Sequence, residues 1–173
     1  MKTDSIPSGT KPARPLDAAD RRILGALGRN AEMSFAELGA EVGLSPPAAH
    51  ERVRRLRASG AIRRTIAVLD GALCGKPLLA FVHVDTAGWG KSPAMMRFAE
   101  FPEVEEIHAV TGDTCLILKV RVASSLALEG LLARIYKLPD VRGTRTYVAL
   151  STYLERTAQA EITEALTDGS HIS

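Results

Sequence analysis

The chain lacks a long apolar run. None of its 173 residues fall in a stretch long enough to cross a bilayer. The N-terminus, MKTDSIPSGTKPARP, has no apolar segment of the kind that directs secretion. Aromatic residues make up only 5% of the sequence, so stacking of bases on aromatic platforms is a poor candidate for its main binding mode. The two cysteines, Cys74 and Cys115, form no close-spaced pair and read as reduced thiols of a cytoplasmic protein. His83 and His108 add no metal-ligand spacing to them. A spaced nucleophile–base pair and a glycine-rich phosphate loop are both missing, so no metal, no cofactor and no enzymatic activity are expected. Excess charge is missing too: 22 Lys and Arg against 20 Asp and Glu leave a net +2. Only the placement of that charge can point to a polyanionic partner.

The placement is uneven. Residues 45–64, SPPAAHERVRRLRASGAIRR, hold Arg52, Arg54, Arg55, Arg57, Arg63 and Arg64 against a single acid, Glu51. A merely solvated surface usually mixes signs. Ser45 is placed to cap a helix, and Pro46 suits its first position, where a missing N–H costs nothing. Ala49, Val53 and Leu56 recur at spacings of four and three and should face inward. Pro47, Glu51, Arg54 and Ala58 then lie opposite, flanked by His50 and Arg55. Gly60 ends the helix. Ile62, Ile66 and Val68 alternate with Arg63, Thr65 and Ala67, which predicts a strand, and Asp70-Gly71 is turn chemistry.

Two helices are expected before this one. Asp17 caps residues 17–29, with Asp20 in the first turn and Ile23, Leu24 and Leu27 on one stripe. Ser34 and Glu37 form a capping box ahead of Phe35, Leu38 and Val42. Gly43 stops that helix and Leu44 plugs the turn. After an arm over residues 1–15 expected to be disordered, residues 16–69 therefore read as a winged helix-turn-helix. A small three-helix bundle with a charged face is the competing account.

A linker over 70–77 leads to a second domain over 78–157, followed by a tail over 158–173. The second domain has a strand at Leu78 to Val84, a helix from Ser92 to Phe101 with Trp89 anchoring the loop before it, and strands at Val104 to Val110 and Leu116 to Val122. A helix from Leu126 to Tyr136 and a strand from Val141 to Leu154 complete it. The order is that of a ferredoxin-like βαββαβ fold, which makes the whole chain α+β. The first strand is apolar on both sides, with Leu79 and Phe81 opposite Leu78, Ala80, Val82 and Val84. A sheet with helices on one face only leaves the second side bare, so sheet-on-sheet dimerisation is expected.

Helix-turn-helix proteins read bases with the first residues of the recognition helix. In this chain those are Ser45, Pro47, His50, Glu51 and Arg54. Arg54 suits the O6/N7 edge of guanine. Glu51 either accepts from a cytosine amine or orients a neighbouring arginine. Arg52, Arg55, Arg57, Arg63 and Arg64 suit phosphates, with Arg52 closest to the apolar stripe. In the second domain, Thr111, Gly112, Asp113 and Thr114 bring backbone N–H groups and side-chain oxygens into one turn. That set suits the carboxylate and ammonium of a free amino acid. Gly-Asp is also ordinary hairpin chemistry, and residues alone leave both accounts open.

Together the two halves resemble the Lrp/AsnC, or feast/famine, family of transcriptional regulators. The likeness runs from about Leu16 to Leu154. It rests on LDAADRRILGALGRNAEMSFAELGAEVGLS, on LSPPAAHERVRRLRASGAI, on VTGDTCLILKVRV and on TRTYVAL. It implies binding of double-stranded DNA and a homodimer built through the second, RAM-type domain, with assembly to tetramers, octamers or larger. It further implies a small-molecule effector, an amino acid or a relative of one, held by Ala109, Thr111, Gly112, Asp113, Thr114 and Cys115, with Tyr147 on the pocket wall. The family often has G-x-x-D in this loop; Cys115 stands where the acid is usual, and Ala109 replaces a larger aliphatic. Two rival readings are an architectural DNA-binding protein without an effector and a relative of the tetrapyrrole decarboxylases that resemble this family.

Overall fold

The computed structural model describes residues 15–87 and 97–160. They form two compact units, one of residues 15–67 with 154–160 and one of residues 68–87 with 97–153.

The first unit is helical. Helix α1, Ala18–Arg29, starts at a full capping box in which Asp17 accepts from the Asp20 backbone N–H and Asp20 accepts from that of Asp17. Helix α2, Phe35–Val42, starts at the equivalent box of Ser34 and Glu37. Hydrogen bonds from the Ser34 backbone and hydroxyl hold the Glu37 carboxyl below its usual range. Helix α3, Pro46–Ala58, follows at once. The α2–α3 turn depends on two glycines. Gly43 has φ 73°, a left-handed conformation that ends α2. Gly39 lies so close to the turn that a Cβ there would meet the Leu44 carbonyl oxygen at 2.6 Å. Ile23, Ala26, Leu38, Val42, Ala49, Val53 and Leu56 make the core, with Leu44 packed at its edge. Each of the larger side chains contributes about 1.5–3 kcal/mol relative to exposure.

The strand expected over Ile62 to Val68 does not form. Residues 63–70 are irregular, and Ile66 and Val68 are 61% and 78% exposed. A strand needs a ladder partner, and none of the described strands pairs with this segment. The helix-turn-helix therefore carries no β wing among the described residues.

The second unit is a four-stranded antiparallel sheet in the order β2-β3-β1-β4. Its strands are β1 (Leu78–Thr86), β2 (Val104–Ala109), β3 (Leu116–Val122) and β4 (Val141–Val148). Helix α4, Ser125–Tyr136, is capped by the Ser124 hydroxyl and crosses between β3 and β4. A 3-10 turn, Arg97–Glu100, precedes β2. The helix start expected at Ser92 and the anchor expected at Trp89 lie outside the described residues. The alternation of β3 is complete, with Leu116, Leu118, Val120 and Val122 buried. With Ala80, Val82, Val84, Phe98, Leu128, Leu131 and Ile135 they form one core on the α4 side of the sheet. Phe81 and Tyr147, paired across β1 and β4, belong to the other face and are 38% and 56% exposed. Strand β4 is shorter than expected. Its partner β1 begins at Leu78, so after Ala149 donates to the Leu79 carbonyl at 2.9 Å the chain has nothing left to pair with.

Candidate DNA-binding helix and effector loop

The apolar stripe of α3 determines which of its residues face solvent. With Ala49, Val53 and Leu56 buried, Ser45, Pro47, His50, Glu51, Arg54, Arg55 and Arg57 are all exposed, as are Arg63 and Arg64 beyond the helix end. Ser45 is the N-cap by backbone conformation, but its hydroxyl makes no capping hydrogen bond. The His50 ring meets the Phe35 ring edge-on at 4.7 Å, which ties the start of α2 to the outer side of α3.

Arg54 and Glu51 are bound to each other. Arg54 donates from Nε to Glu51 Oε2 at 2.8 Å and from Nη2 to Oε1 at 2.7 Å. This is the arginine-orienting alternative for Glu51. The Arg54 guanidinium holds the Glu51 carboxyl below its ordinary range, helped by the positive charge of Arg55.

Arg52 departs from the phosphate-contact expectation. Its Nη1 donates to Asp17 Oδ1 and Oδ2 at 2.9 and 2.7 Å and to Asp20 Oδ1 at 2.7 Å. The side chain is 24% exposed. Two carboxylates neutralise its charge, so Arg52 joins α3 to the start of α1. The same contact pushes the Asp17 carboxyl down to about 2, mainly through the Arg52 hydrogen bond. Periodicity alone placed Arg52 near the apolar stripe. That Asp17 would serve both as a cap and as its partner was legible only in three dimensions.

In the sheet unit, the loop between β2 and β3 is pinned at its far end. Cys115 N–H donates to the Val84 carbonyl at 3.3 Å, and Val110 N–H to the Cys115 carbonyl at 3.2 Å. Thr114 is buried, its hydroxyl donating to the Val84 carbonyl at 3.2 Å or the Leu116 carbonyl at 3.4 Å. Its oxygen is thus turned into the sheet, away from the role of a free ligand-binding group that the sequence suggested. Cys115 is half-buried, with Sγ 4.0 Å from the Thr86 carbonyl oxygen. Thr111, Gly112 and Asp113 form the exposed tip, and Gly112 has φ 124°. Ala109 ends β2 opposite Leu116 and is exposed.

Two residues join this loop that sequence reasoning did not single out. Arg145 of β4 donates from Nη1 to Asp113 Oδ2 at 2.9 Å and from Nη2 to the Asp113 carbonyl at 2.8 Å. Asp85 of β1 has Oδ1 4.0 Å from Arg145 Nη2. The alternation in TRTYVAL carried the only advance signal, since it puts Arg145 on the same strand face as Tyr147. That ring lies 5.0 Å from His83, the residue paired with Arg145 across β1. The arrangement offers one cation, two carboxylates and an exposed glycine turn at one end of the sheet, a set that can hold a small zwitterion.

Two family models match the chain: the AsnC-type helix-turn-helix domain over residues 16–57 and the Lrp/AsnC ligand binding domain over residues 79–159. The HTH-type transcriptional regulator FL11 of Pyrococcus horikoshii is 34% identical over 143 residues, covering 83% of this chain and 95% of that protein. The leucine-responsive regulatory protein of Escherichia coli is 37% identical over 150 residues, covering 84% of this chain and 91% of that protein. Among solved structures, the feast or famine regulatory protein from M. tuberculosis complexed with L-methionine superimposes with a TM-score of 0.75 at 35% identity, covering 82% and 96% of the two chains.

Proposed function

The chain belongs to the Lrp/AsnC family of DNA-binding transcriptional regulators, and from that membership we propose that α3 reads operator DNA while an amino acid bound at the 111–115 loop modulates the binding. The observation that carries the DNA half is the exposed face of α3. Ser45, Pro47 and His50 stand at its N-terminal end with Arg54 further along the same exposed face, and Arg55 and Arg57 lie in its last turn, with no acid besides Glu51 on the helix. The first group is assigned to base edges and the second, with Arg63 and Arg64, to phosphates. Arg52 is assigned to neither, because Asp17 and Asp20 already hold it.

The effector half rests on the Asp113–Arg145–Asp85 cluster and on the L-methionine bound by the M. tuberculosis relative. Dimerisation is assigned to the open face of the sheet, where Phe81 and Tyr147 are exposed. Two helices held at a fixed spacing would read a roughly palindromic site with half-sites about one helical turn apart.

Genome-wide mapping of bound DNA, followed by footprinting of the best site with and without each of the twenty amino acids, tests the proposal. A palindromic footprint altered by one or a few amino acids is the expected result. Sequence-independent coating of DNA, unchanged by every amino acid, would favour the architectural reading instead.

A further inference from the structure

We propose that Arg145 is the carboxylate-recognising residue of the effector site, and that a zwitterionic amino acid binds by inserting into the Arg145–Asp113 ion pair. The inference rests on the reading of the 111–115 loop as the effector site. In the free protein the guanidinium fork is engaged on both arms, one to the Asp113 carboxylate and one to its carbonyl. In the single chain the Asp113 side chain is 83% exposed, in the loop beyond the strands, and that of Arg145 is 42% exposed, on the sheet face that carries Tyr147. Water and salt weaken such a pair, so its partners exchange readily.

The α-carboxylate of an amino acid matches the fork that Asp113 occupies, because planar two-point recognition of carboxylates is what a guanidinium does best. Displaced from Arg145, the Asp113 carboxylate is left without its cation. The ligand's ammonium supplies a replacement, and Asp85, 4.0 Å from the same guanidinium, is a second acceptor within reach. One ion pair is thereby replaced by two, every charge is compensated, and no proton moves. The backbone is suited to the change. Gly112 occupies φ 124°, which residues with a side chain rarely adopt. The far end of the loop stays fixed by Thr114 and Cys115 on Val84, so movement is confined to residues 111–113.

The scheme makes a chemical distinction. A carboxylate without an ammonium displaces Asp113 and leaves it unpaired. An ammonium without a carboxylate has to compete with Arg145 for Asp113. Both should bind worse than the zwitterion, even with the same side chain.

The test is calorimetric titration of the full-length protein with L-methionine, L-methioninamide and 4-(methylthio)butanoate. If methionine does not bind, whichever of the other nineteen standard amino acids gives the largest thermal shift takes its place, with its own amide and deaminated analogue. Wild type should bind the amino acid and bind each analogue roughly tenfold or more weakly, the factor of one lost charged contact. Arg145→Gln and Asp113→Asn should each weaken the amino acid by a similar factor at an unchanged melting temperature. Arg145→Lys, which keeps the charge but loses the fork, should fall between. Arg145→Gln that binds the amino acid as tightly as wild type overturns the inference and leaves the loop standing as the effector site. Wild type that binds none of the twenty amino acids overturns both.

Discussion

Arg54 closes a two-point ion pair on Glu51, one turn back on the same face of α3, at 2.8 and 2.7 Å. Arg54, proposed above to read a base edge, is therefore held by the helix's only acid. Holding the fork in place reduces the side-chain freedom lost on binding, while the carboxylate repels nearby phosphates. Arg54→Ala should lose about 1–3 kcal/mol on the preferred operator and relax selection at one base pair. Glu51→Gln should strengthen binding to every sequence at low salt, because it removes a negative charge from the interface. Fluorescence anisotropy across an operator series separates the two. Equal losses for Arg54→Ala on every variant would remove Arg54 from base reading.

Arg55 and Arg57 lie in the last turn of α3, exposed and assigned to phosphates. Their loss should weaken all sequences alike. Each replacement by Ala should also reduce the slope of log affinity against log salt by about 0.9, one phosphate's worth of released counterion. Titrations at several salt concentrations measure this directly. An unchanged slope would place the arginine away from the backbone.

The Arg52–Asp17 contact makes a different prediction because it acts on stability. Arg52→Ala removes three charge-assisted hydrogen bonds between α3 and the start of α1, and should lower stability by about 1–3 kcal/mol. The pH dependence has a definite sign. Folding lowers the Asp17 pKa from its ordinary 3.8 to about 2. Its contribution is therefore fully present above pH 3.8 and is lost as pH falls through about 2. Melting curves of wild type and Asp17→Asn should diverge at neutral pH and converge in acid across that window. A constant difference would mean that the Asp17 charge is not what matters.

Periodicity and caps carried most of the fold. Asp17, Ser34 and Ser45 each sit at the helix start expected of them, and the alternation from Leu116 to Val122 appears as a strand with the expected inner face. These signals are local, and sequence displays local signals. The segment after Ile62 alternates just as well but forms no strand, because pairing depends on a partner that alternation does not reveal. The candidate site divides the same way. Exposure of Arg54, Arg55 and Arg57 followed from the positions of Ala49, Val53 and Leu56. The pairing of Arg145 with Asp113, 32 residues apart, depended on how β4 lies beside β1, and no spacing encodes that.

Gly39→Ala tests the turn that presents α3. Its Cβ would meet the Leu44 carbonyl oxygen at 2.6 Å, and Gly39's own carbonyl accepts from Leu44 N–H at 2.8 Å. Both neighbouring groups are backbone, so the turn must open for the methyl to fit. The expected loss is about 1–3 kcal/mol, with weaker DNA binding as α3 shifts against α2. Ala40→Gly, one residue along on the exposed side of α2, serves as a helix-propensity control and should lose about 1 kcal/mol or less. Equal thermal stability of Gly39→Ala and wild type would show that the turn relaxes freely.

Phe81 bears on the assembly. It lies on β1, paired with Lys119 of β3 and Tyr147 of β4, on the face of the sheet away from α4. The core on the other face is complete without it. Phe81→Asp should therefore leave the monomer folded while placing an uncompensated charge in the proposed dimer interface. A central interface aromatic is worth about 2–4 kcal/mol of association energy, enough to move the dissociation constant roughly a hundredfold or more. Light scattering should show monomers at concentrations where wild type is dimeric. Affinity for a palindromic operator should fall much further than affinity for a single half-site, because the second half-site contact becomes intermolecular once the dimer is lost. Phe81→Asp that stays dimeric would remove this face of the sheet from the interface and, with it, the proposed origin of the fixed half-site spacing.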